Sequence, residues 1–259
     1  MEYSIDTLFS VKDKIAVVLG GTSGIGQAIA RGYALGGAVT IAASRDQGKV
    51  DAVAAELKAL GARTMSLTAD VLDRASVQAL CDAVVKEHGR VDILMVAAGT
   101  FNRTPSVDLT DEAWSGVIEA NLTGSFRANQ IFGRQMLAQG SGSIINTCSM
   151  TSFVSFNEVS AYGASKAGVM QLTKQLACEW ATKGVRVNAI APGVFRTALN
   201  SKALDDPNRA GMILGRTPMA RFGNINELVG AAIFLGSQAS TFVTGQVIAV
   251  DGGFLAKGI

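Results

Sequence analysis

Short apolar segments alternate with amphipathic helical patterns along this chain of 259 residues, and this alternation restricts the possible folds more than any other feature. Strands that are apolar throughout are typical of a parallel sheet covered by helices on both faces. The alternation therefore predicts one α/β domain over 1–259, a Rossmann-type doubly wound parallel sheet of about seven strands with helices on both faces. Apolar runs predict strands at 14–19, 38–43, 63–68, 91–97, 142–147, 185–190 and 246–250, and helical patterns lie at 24–36, 48–60, 73–88, 111–138 and 161–183.

One segment, 194–224, interrupts the alternation after the sixth predicted strand. In a doubly wound sheet, ligands bind beyond the carboxyl ends of the strands, which is where this segment must begin. Its length and position predict a substrate lid, the alternative being an ordinary surface loop.

Composition excludes several kinds of protein. The chain carries 23 basic and 21 acidic residues without a basic block, so we expect no nucleic-acid partner. The single histidine, His88, excludes histidine-based hydrolases and zinc sites, and we expect no metal. Apolar runs fall short of the roughly 18 residues that cross a membrane. Three cysteines without CxxC spacing indicate a reducing compartment, so a cytoplasmic location is expected.

A glycine-rich turn joins the first predicted strand to the first predicted helix. Glycines let the backbone turn sharply and approach a pyrophosphate, whose negative charge the helix N-terminus stabilises. Strand, turn and helix follow in the order that such a site requires. The residues predicted to bind a dinucleotide here are Gly20, Thr22, Ser23, Gly24, Ile25 and Gly26.

Further motifs follow the turn in a fixed order. The turn itself has GxxxGxG spacing, and later segments are Asn121, Ser149, Tyr162-Gly163-Ala164-Ser165-Lys166, Pro192-Gly193-Val194-Phe195-Arg196-Thr197 and Val250-Asp251-Gly252-Gly253. Together they resemble the short-chain dehydrogenase/reductase family over essentially the whole chain. The resemblance implies a nicotinamide-dependent oxidoreductase whose catalytic residues are Asn121, Ser149, Tyr162 and Lys166.

The chemistry of these residue types supports that interpretation. Tyr162 and Lys166 are four residues apart, so they share one face of a helix. A phenol has a pKa near 10, and a cationic lysine together with the oxidised nicotinamide would lower it. Ser149 could donate a hydrogen bond to a substrate oxygen that gains charge in the transition state. By resemblance, Asn121 holds a water that links Lys166 to solvent.

The same resemblance implies further cofactor contacts. Asp70 and Val71 correspond to a pair beside the adenine, and Thr197 to the residue that holds the nicotinamide carboxamide. The remaining expected contacts are Gly99, Tyr162, Lys166, Pro192, Gly193 and Val194.

The end of the second strand bears on the choice between the two nicotinamide cofactors. Ser44 stands where an NAD-preferring site usually has an acid for the ribose hydroxyl, and Arg45 follows it. A hydroxyl and a cation suit a 2′-phosphate, so we expect NADP(H) to be preferred over NAD(H). The alternatives are that Arg45 only faces solvent and that Asp46 offsets its charge.

Two motifs depart from the family pattern. Leu19 replaces the threonine that begins the glycine motif, and Val96-Ala97-Ala98-Gly99 replaces the usual Asn-Asn-Ala-Gly. Loss of both ends of a polar contact can be nearly neutral, whereas loss of one end is costly. The paired change therefore predicts repacking at these two strand ends.

The substrate site is the least specified part of the sequence. Arg103 follows the fourth strand, as in the gluconate 5-dehydrogenase and 2-deoxy-gluconate 3-dehydrogenase members that this chain resembles, and could hold a sugar-acid carboxylate. It could equally pack its stem over Trp114. Phe153, Phe156 and Phe195 could instead line an apolar pocket for a bulkier ketone. The residues expected at the substrate are Arg103, Ser149, Phe153, Tyr162 and Phe195.

These observations predict an NADP(H)-dependent oxidoreductase that interconverts a carbonyl and a secondary alcohol, with Tyr162 as acid and base. The expected partner is a small molecule, a keto-sugar, polyol or other small ketone. The alternatives are a 3-oxoacyl-thioester reductase and a non-catalytic protein that senses NADP. The family resemblance also implies a homotetramer built from the helices near 111–138 and 161–183 and the C-terminal strand.

Overall fold

A computed structural model describes residues 4–197 and 204–258 of the chain, and within them one parallel sheet of six strands is covered by helices. The strands are β1 (Ile15–Leu19), β2 (Val39–Ala43), β3 (Ile93–Val96), β4 (Gly142–Thr147), β5 (Val185–Pro192) and β6 (Val247–Val250). The helices are α1 (Ile5–Leu8), α2 (Gly24–Leu35), α3 (Gln47–Ala59), α4 (Arg74–His88), α5 (Asp111–Ile118), α6 (Gly124–Gln139), α7 (Ser160–Trp180), α8 (Pro207–Arg216) and α9 (Val229–Gly236).

The strands lie in the order β2-β1-β3-β4-β5-β6, all parallel. Because the chain passes from β1 to β2 on one side and returns to β3 on the other, the order reverses between β1 and β3. In the register, the last residue of β1, Leu19, pairs with Ala43 on one side and Val96 on the other. The carboxyl ends of these strands are therefore level, and they open a crevice at the point where ligands bind in this class of fold.

The sheet has six strands within the described residues, and not seven, because the segment 63–68 does not form one. It runs beside β2, and the amide of Thr40 donates to the carbonyl of Arg63 at 3.0 Å. The amide of Ala69 likewise donates to the carbonyl of Ser44 at 3.0 Å. Arg63, Ser66 and Thr68 of the segment are exposed, and the two contacts at its ends do not make a continuous ladder.

The core lies on both faces of the sheet, as predicted. Alternate residues of β1 point to opposite faces, because successive side chains of a strand alternate. Val17 and Leu19 pack in one apolar layer with α4, α6 and α7, and Ala16 and Val18 pack in the other with α2, α3 and α9. The strands β1 to β5 are thus buried between helices, whereas the edge strand β6 is only partly covered.

Two helical segments differ in detail from the sequence prediction. The predicted helix 111–138 consists of α5 and α6, joined by a π-helical turn over Glu119–Thr123. Part of the predicted lid 194–224 is the helix α8, whereas its residues 198–203 lie outside the described residues. Among the helices that are described, none is both long and apolar enough to cross a membrane.

Candidate active site

The glycine turn after β1 has a backbone that requires glycine. Gly20 and Gly24 have φ angles of 78° and 50°, which other residues rarely adopt. A Cβ atom at Gly26 would lie 2.1 Å from the carbonyl oxygen of Gly20. Ser23, the N-cap residue of α2, makes no capping hydrogen bond with its side chain, so the helix N-terminus is available for an anion.

A cleft of about 380 Å³, the glycine-turn cleft, opens beside this turn. It is lined by residues from the ends of β1, β2 and β3 and from the following loops. They are Gly20, Thr22, Ser23, Ser44, Arg45, Asp46, Lys49, Ala69, Asp70, Val71, Leu72, Ala98, Gly99, Thr100, Gly116 and Ala120. Eight of the seventeen residues predicted to bind the dinucleotide thus lie around one crevice.

The cleft contains a polar group without a partner. The hydroxyl of Ser44 is buried and makes no hydrogen bond within the described residues, although buried polar groups are normally paired. Arg45 and Lys49 line the same end of the cleft. Asp46 is the N-cap residue of α3, where its carboxylate accepts a hydrogen bond from the amide of Lys49 at 3.0 Å. An unpaired hydroxyl and two cations fit an incoming anionic group.

The segment after β5 closes the crevice from the other side. The amide of Gly193 donates to the carbonyl of Val250 at 2.8 Å, and a Cβ atom at Gly193 would lie 2.6 Å from the Cα of Asp251. The Cγ2 atom of Thr197 lies 3.7 Å from where a Cβ of Gly24 would be. The structure therefore brings the predicted Pro192–Thr197 segment to the glycine turn.

A smaller cavity of about 130 Å³, the catalytic cavity, contains two of the predicted catalytic residues. Ser149 follows β4, and Tyr162 lies in the first turn of α7. The side chain of Ser149 is a hydrogen-bond partner of the Tyr162 phenol. The lining residues are Phe101, Ser149, Met150, Thr151, Phe156, Val159, Tyr162, Gly193, Val194, Leu204, Arg209 and Ile213.

Lys166 lies one helical turn beyond Tyr162 and is buried, 5% exposed. Its Nζ donates to the carbonyl of Thr147 at 2.7 Å and lies 5.8 Å from the centre of the Tyr162 ring. Burial lowers the pKa of Lys166 to about 8. The ammonium is therefore close to the phenol but held by the end of β4.

Burial is the main influence on the pKa of Tyr162. It raises the pKa of this phenol above its ordinary value, the hydrogen bond with Ser149 opposes that effect in part, and the nearby Cys148 adds to it. The lower pKa expected with a cationic Lys166 and the oxidised nicotinamide together beside the phenol stays a prediction.

Asn121 lies on the π-helical turn and is fully buried. Its Oδ1 accepts a hydrogen bond from the Thr100 amide at 2.7 Å, and its Nδ2 donates to the Thr100 carbonyl at 2.9 Å. The same Nδ2 donates to the Ser165 hydroxyl at 3.0 Å. The side-chain amide of Asn121 thus joins the loop after β3, which lines the glycine-turn cleft, to α7, which carries Tyr162 and Lys166. The water predicted at Asn121 stays a prediction.

Three of the predicted substrate residues lie outside the lining of the catalytic cavity. Arg103 forms an ion pair with Glu158 at 2.6 Å. Phe153 is 47% exposed at the surface. Phe195 is buried in the core against Gly223, where a Cβ atom would lie 2.2 Å from its ring. Tertiary packing turns both phenylalanines away from the cavity, which corrects the expected placement.

Two residues that the sequence did not predict, Phe101 and Arg209, line the catalytic cavity. The ring of Phe101 meets Tyr162 edge to face, with centroids 5.2 Å apart. Arg209, from α8, also lines the catalytic cavity. Phe101 lies in the loop after β3 and could have been found by that position, whereas no local signal in the sequence marks Arg209.

A second, wider cleft of about 370 Å³ adjoins the catalytic cavity, and we call it the outer cleft. Both spaces share Phe156, Arg209 and Ile213. The outer cleft is lined by Arg103, Ser155, Phe156, Asn157, Glu158, Asp206, Asn208, Arg209, Met212, Ile213, Arg216 and Phe254. A substrate larger than the catalytic cavity would extend into this cleft.

The two departures from the family motif meet in the structure. Leu19 is buried in the core, and its carbonyl accepts a hydrogen bond from the amide of Ala97 at 2.8 Å. The Cβ of Ala97 lies 3.1 Å from where a Cβ of Gly26 would be. The two strand ends are joined by this backbone hydrogen bond, and the predicted repacking of their side chains stays a prediction.

Comparisons with known proteins define the class to which this site belongs. Residues 20–255 match the family model adh_short_C2, described as Enoyl-(Acyl carrier protein) reductase. The chain belongs to the short-chain dehydrogenase/reductase family. It is an oxidoreductase that acts on the CH–OH and C=O pair with a nicotinamide cofactor.

Individual relatives match nearly the whole chain. A D-threitol dehydrogenase of Mycolicibacterium smegmatis is 40% identical over 256 residues, which is 99% of this chain and 98% of that protein. A 2-dehydro-3-deoxy-D-gluconate 5-dehydrogenase of Formosa agariphila is 39% identical over 255 residues, 98% of this chain and 96% of that protein.

A solved structure confirms the predicted Rossmann-type fold. It is a gluconate 5-dehydrogenase from Burkholderia cenocepacia in complex with NADP and tartrate. It superposes with a TM-score of 0.95 at 36% identity and covers 98% of this chain and 100% of that chain.

Proposed function

We propose that this chain is an NADP(H)-preferring dehydrogenase that interconverts a secondary alcohol and a ketone in a small polyol or sugar acid. The observation that carries the proposal is the placement of Ser149 and Tyr162 in one small cavity, with Lys166 one turn further along α7. Phe101 of this cavity belongs to the same loop after β3 as Gly99 and Thr100 of the glycine-turn cleft. A substrate carbon and a cofactor can therefore meet at the carboxyl edge of the sheet.

The residues of the glycine-turn cleft fit a dinucleotide. The glycine turn and the N-terminus of α2 would hold the pyrophosphate, Asp70 and Val71 the adenine, and Thr197 the nicotinamide end. The cofactor supplies hydride transfer to or from the reacting carbon. The remaining predicted contacts, Gly99, Pro192, Gly193 and Val194, belong to the same proposal.

The preference for NADP(H) is supported at the end of β2. Among the described residues the Ser44 hydroxyl has no hydrogen-bond partner, and Arg45 and Lys49 line the same cleft. The nearby acid, Asp46, is engaged as the cap of α3, so its charge is already compensated by the helix N-terminus. These residues suit a 2′-phosphate better than a free ribose hydroxyl.

The catalytic residues would move one proton and stabilise one charge. Neutral Tyr162, favoured by the raised pKa of the phenol, donates its proton to the substrate oxygen during reduction. Ser149 donates a hydrogen bond to the same oxygen as negative charge develops there. In the reverse direction, Lys166 stabilises the phenolate that removes the proton from the alcohol, and the water held by Asn121 carries that proton to solvent.

The substrate class is supported by the relatives. The two named above are dehydrogenases of a polyol and of a sugar acid, which favours this reaction over the acyl-thioester alternative. A protein that only senses NADP would have no need of Ser149, Tyr162 and Lys166 in one site. We further propose a cytoplasmic location, which the free thiols of Cys81 and Cys148 support.

Absorbance at the nicotinamide band tests the proposal. The purified chain is given NADPH or NADH with 5-ketogluconate, L-sorbose, an aryl ketone and an acetoacetyl thioester. We expect oxidation of NADPH with the first two compounds, and a kcat/KM with NADPH at least about tenfold above that with NADH, since a lost phosphate contact is worth more than 1 kcal/mol. Turnover of the thioester alone would contradict the substrate class, and equal rates with both cofactors would contradict the preference.

A further inference from the structure

Arg209 lies at the boundary between the catalytic cavity and the outer cleft. It belongs to α8, and Ile213 and Arg216 follow it at spacings of four and seven, so the three residues share one helix face. Arg209 and Ile213 line both spaces, whereas Arg216 lines only the outer cleft of the two. The guanidinium is therefore placed next to the cavity that contains Ser149 and Tyr162.

The neighbouring cations have partners. Arg103 is paired with Glu158 at 2.6 Å, and Arg216 lies over the ring of Phe254 at 4.8 Å from its centre. Asp206 caps α8 by accepting a hydrogen bond from the Asn208 amide at 3.0 Å. The acids of the outer cleft are thus already engaged with other groups.

Arg209 has neither an ion pair nor a ring contact among the described residues of this cleft. It is half-buried, and no ion pair within 4.0 Å holds it in the described ranges 4–197 and 204–258. Burial and the nearby charge of Arg103 both lower the pKa of Arg209, whereas Glu158 and Asp206 only partly oppose them. A partly dehydrated guanidinium is stabilised by a carboxylate that accepts two parallel hydrogen bonds from the N–H groups along its edge.

We propose that Arg209 binds the carboxylate of the substrate and so selects sugar acids over neutral polyols. This inference rests on the proposed function, and it chooses between the two substrate classes that the proposal leaves open. The reacting carbon would lie at Ser149 and Tyr162, and the carboxylate would extend toward the outer cleft. Arg209 takes this role and not Arg103, because the guanidinium of Arg103 is paired with Glu158.

Kinetics with an acidic and a neutral substrate test the inference. kcat/KM is measured for D-gluconate and for D-sorbitol with saturating NADP⁺ in the wild type, Arg209→Met and Arg209→Lys. We expect Arg209→Met to lower kcat/KM for gluconate about 100-fold, mainly through KM, since it removes a charge-assisted contact. The value for sorbitol should stay within about threefold, and Arg209→Lys should be intermediate because lysine lacks the bidentate fork.

Two controls separate specificity from structure. Arg63→Met removes an exposed arginine that forms an ion pair with Asp13, away from both cavities. It should leave kcat/KM unchanged for gluconate and for sorbitol. The double variant Arg103→Met/Glu158→Gln removes the neighbouring ion pair without changing the net charge, and it should lower kcat/KM for gluconate far less than Arg209→Met. An equal loss for both substrates in Arg209→Met would overturn the inference, as would a gluconate loss confined to the double variant.

The outcome also distinguishes failure of this inference from failure of the proposed function. A wild type that oxidises sorbitol but not gluconate retains the proposed function and overturns the role of Arg209. If neither is oxidised, the proposed function fails, and a thermal-shift titration with gluconate and tartrate decides the inference on its own. Stabilisation of the wild type that Arg209→Met abolishes would support carboxylate binding, and identical titrations of the two proteins would refute it.

Discussion

Lys166 is a buried amine whose position serves the site at the expense of stability. Its pKa is lowered to about 8, below the 10.5 of an unburied lysine, because the folded protein dehydrates the ammonium. The hydrogen bond to Thr147 and the nearby phenol of Tyr162 do not restore the lost hydration. Groups that are costly to bury are often found where a protein binds or transforms a ligand.

Replacement of Lys166 by methionine should therefore stabilise the fold while it abolishes activity. Below pH 8 the amine is charged in both the folded and the unfolded protein, and only the folded state bears the cost of burying that charge. As the pH rises from about 8 to 10.5, the folded state loses its proton first and the cost disappears. At pH 7 the free energy of unfolding should rise by about 1–3 kcal/mol, and the difference should vanish near pH 10.5.

Thermal melts of the wild type and Lys166→Met between pH 6.5 and 10.5 measure this effect. Lys58→Met, at an exposed position of α3, serves as the matched control and should change the melting temperature little at any pH. A Lys166→Met variant that is less stable than the wild type at pH 7 would show that the Thr147 contact outweighs dehydration.

Tyr162 supports a second prediction at the residue scale. Tyr162→Phe removes only the phenolic oxygen, which transfers the proton, and leaves the ring contact with Phe101 in place. Turnover should fall by about 10²–10⁴, the usual contribution of a positioned acid or base. Titration of NADPH fluorescence should give a Kd within about threefold of the wild type, since less than 1 kcal/mol is lost. A turnover within tenfold of the wild type would remove Tyr162 from the mechanism.

At the scale of elements, the strand–turn–helix unit β1–α2 is specified by its glycines. Gly20 needs a positive φ angle, and the carbonyl of Gly20 leaves no space for a side chain at position 26. By contrast, α9 has no such requirement at Gly230, where nothing lies within 4 Å of an added Cβ atom. It begins after a capping box between Asn224 and Glu227 and was missed in the sequence, although that box is a recognised helix start.

Gly26→Ala should test this difference. The added methyl group would lie 2.1 Å from a backbone oxygen that cannot move without breaking the turn. We expect the free energy of unfolding to fall by about 1–3 kcal/mol, as in other overpacked sites. The Kd for NADPH should rise at least about tenfold, because the turn then no longer fits a phosphate.

The matched control is Gly230→Ala in α9. That glycine is exposed and has nothing within 4 Å of an added Cβ atom. It should raise the free energy of unfolding by about 0.4–1 kcal/mol, because alanine loses less chain entropy on folding. Urea denaturation measures both variants, and an equal response of the two would contradict a steric requirement at Gly26.

At the scale of the whole molecule, aromatic side chains stay exposed where the family resemblance implies contacts between subunits. Trp114 of α5 is 40% exposed and Phe126 of α6 is 38% exposed. Phe242, shortly before β6, is fully exposed. Aromatic residues are enriched at protein interfaces, so these positions support the proposed homotetramer.

Light scattering on a size-exclusion column should give a mass of about four times the 26.8 kDa of one chain. Phe126→Glu should reduce this mass, because a charge would be buried in the interface. Val107→Glu, at a 93% exposed site outside the helices, should leave the mass unchanged. A wild-type mass of 26.8 kDa would refute the assembly.

The sequence by itself determined the features that depend on neighbours along the chain. These are the alternation of strands and helices, the turn after β1 whose backbone requires glycine, and the four-residue spacing that puts Tyr162 and Lys166 on one helix face. Local backbone geometry suffices for each of them, and the family motif could be recognised for the same reason. The structure confirms the doubly wound sheet and places Ser149 beside Tyr162.

Only the tertiary structure decided what depends on packing between distant segments. The segment 63–68 failed to form a strand because two contacts at its ends do not make a ladder with β2. The side chain of Phe195 is buried in the core. Arg209 lies on α8, far along the chain from Tyr162, and lines the same catalytic cavity. The pKa of that phenol rose because burial is a property of the folded molecule. Burial, electrostatic environment and the direction of a side chain all depend on neighbours that the fold brings together, and no local pattern in the sequence encodes them.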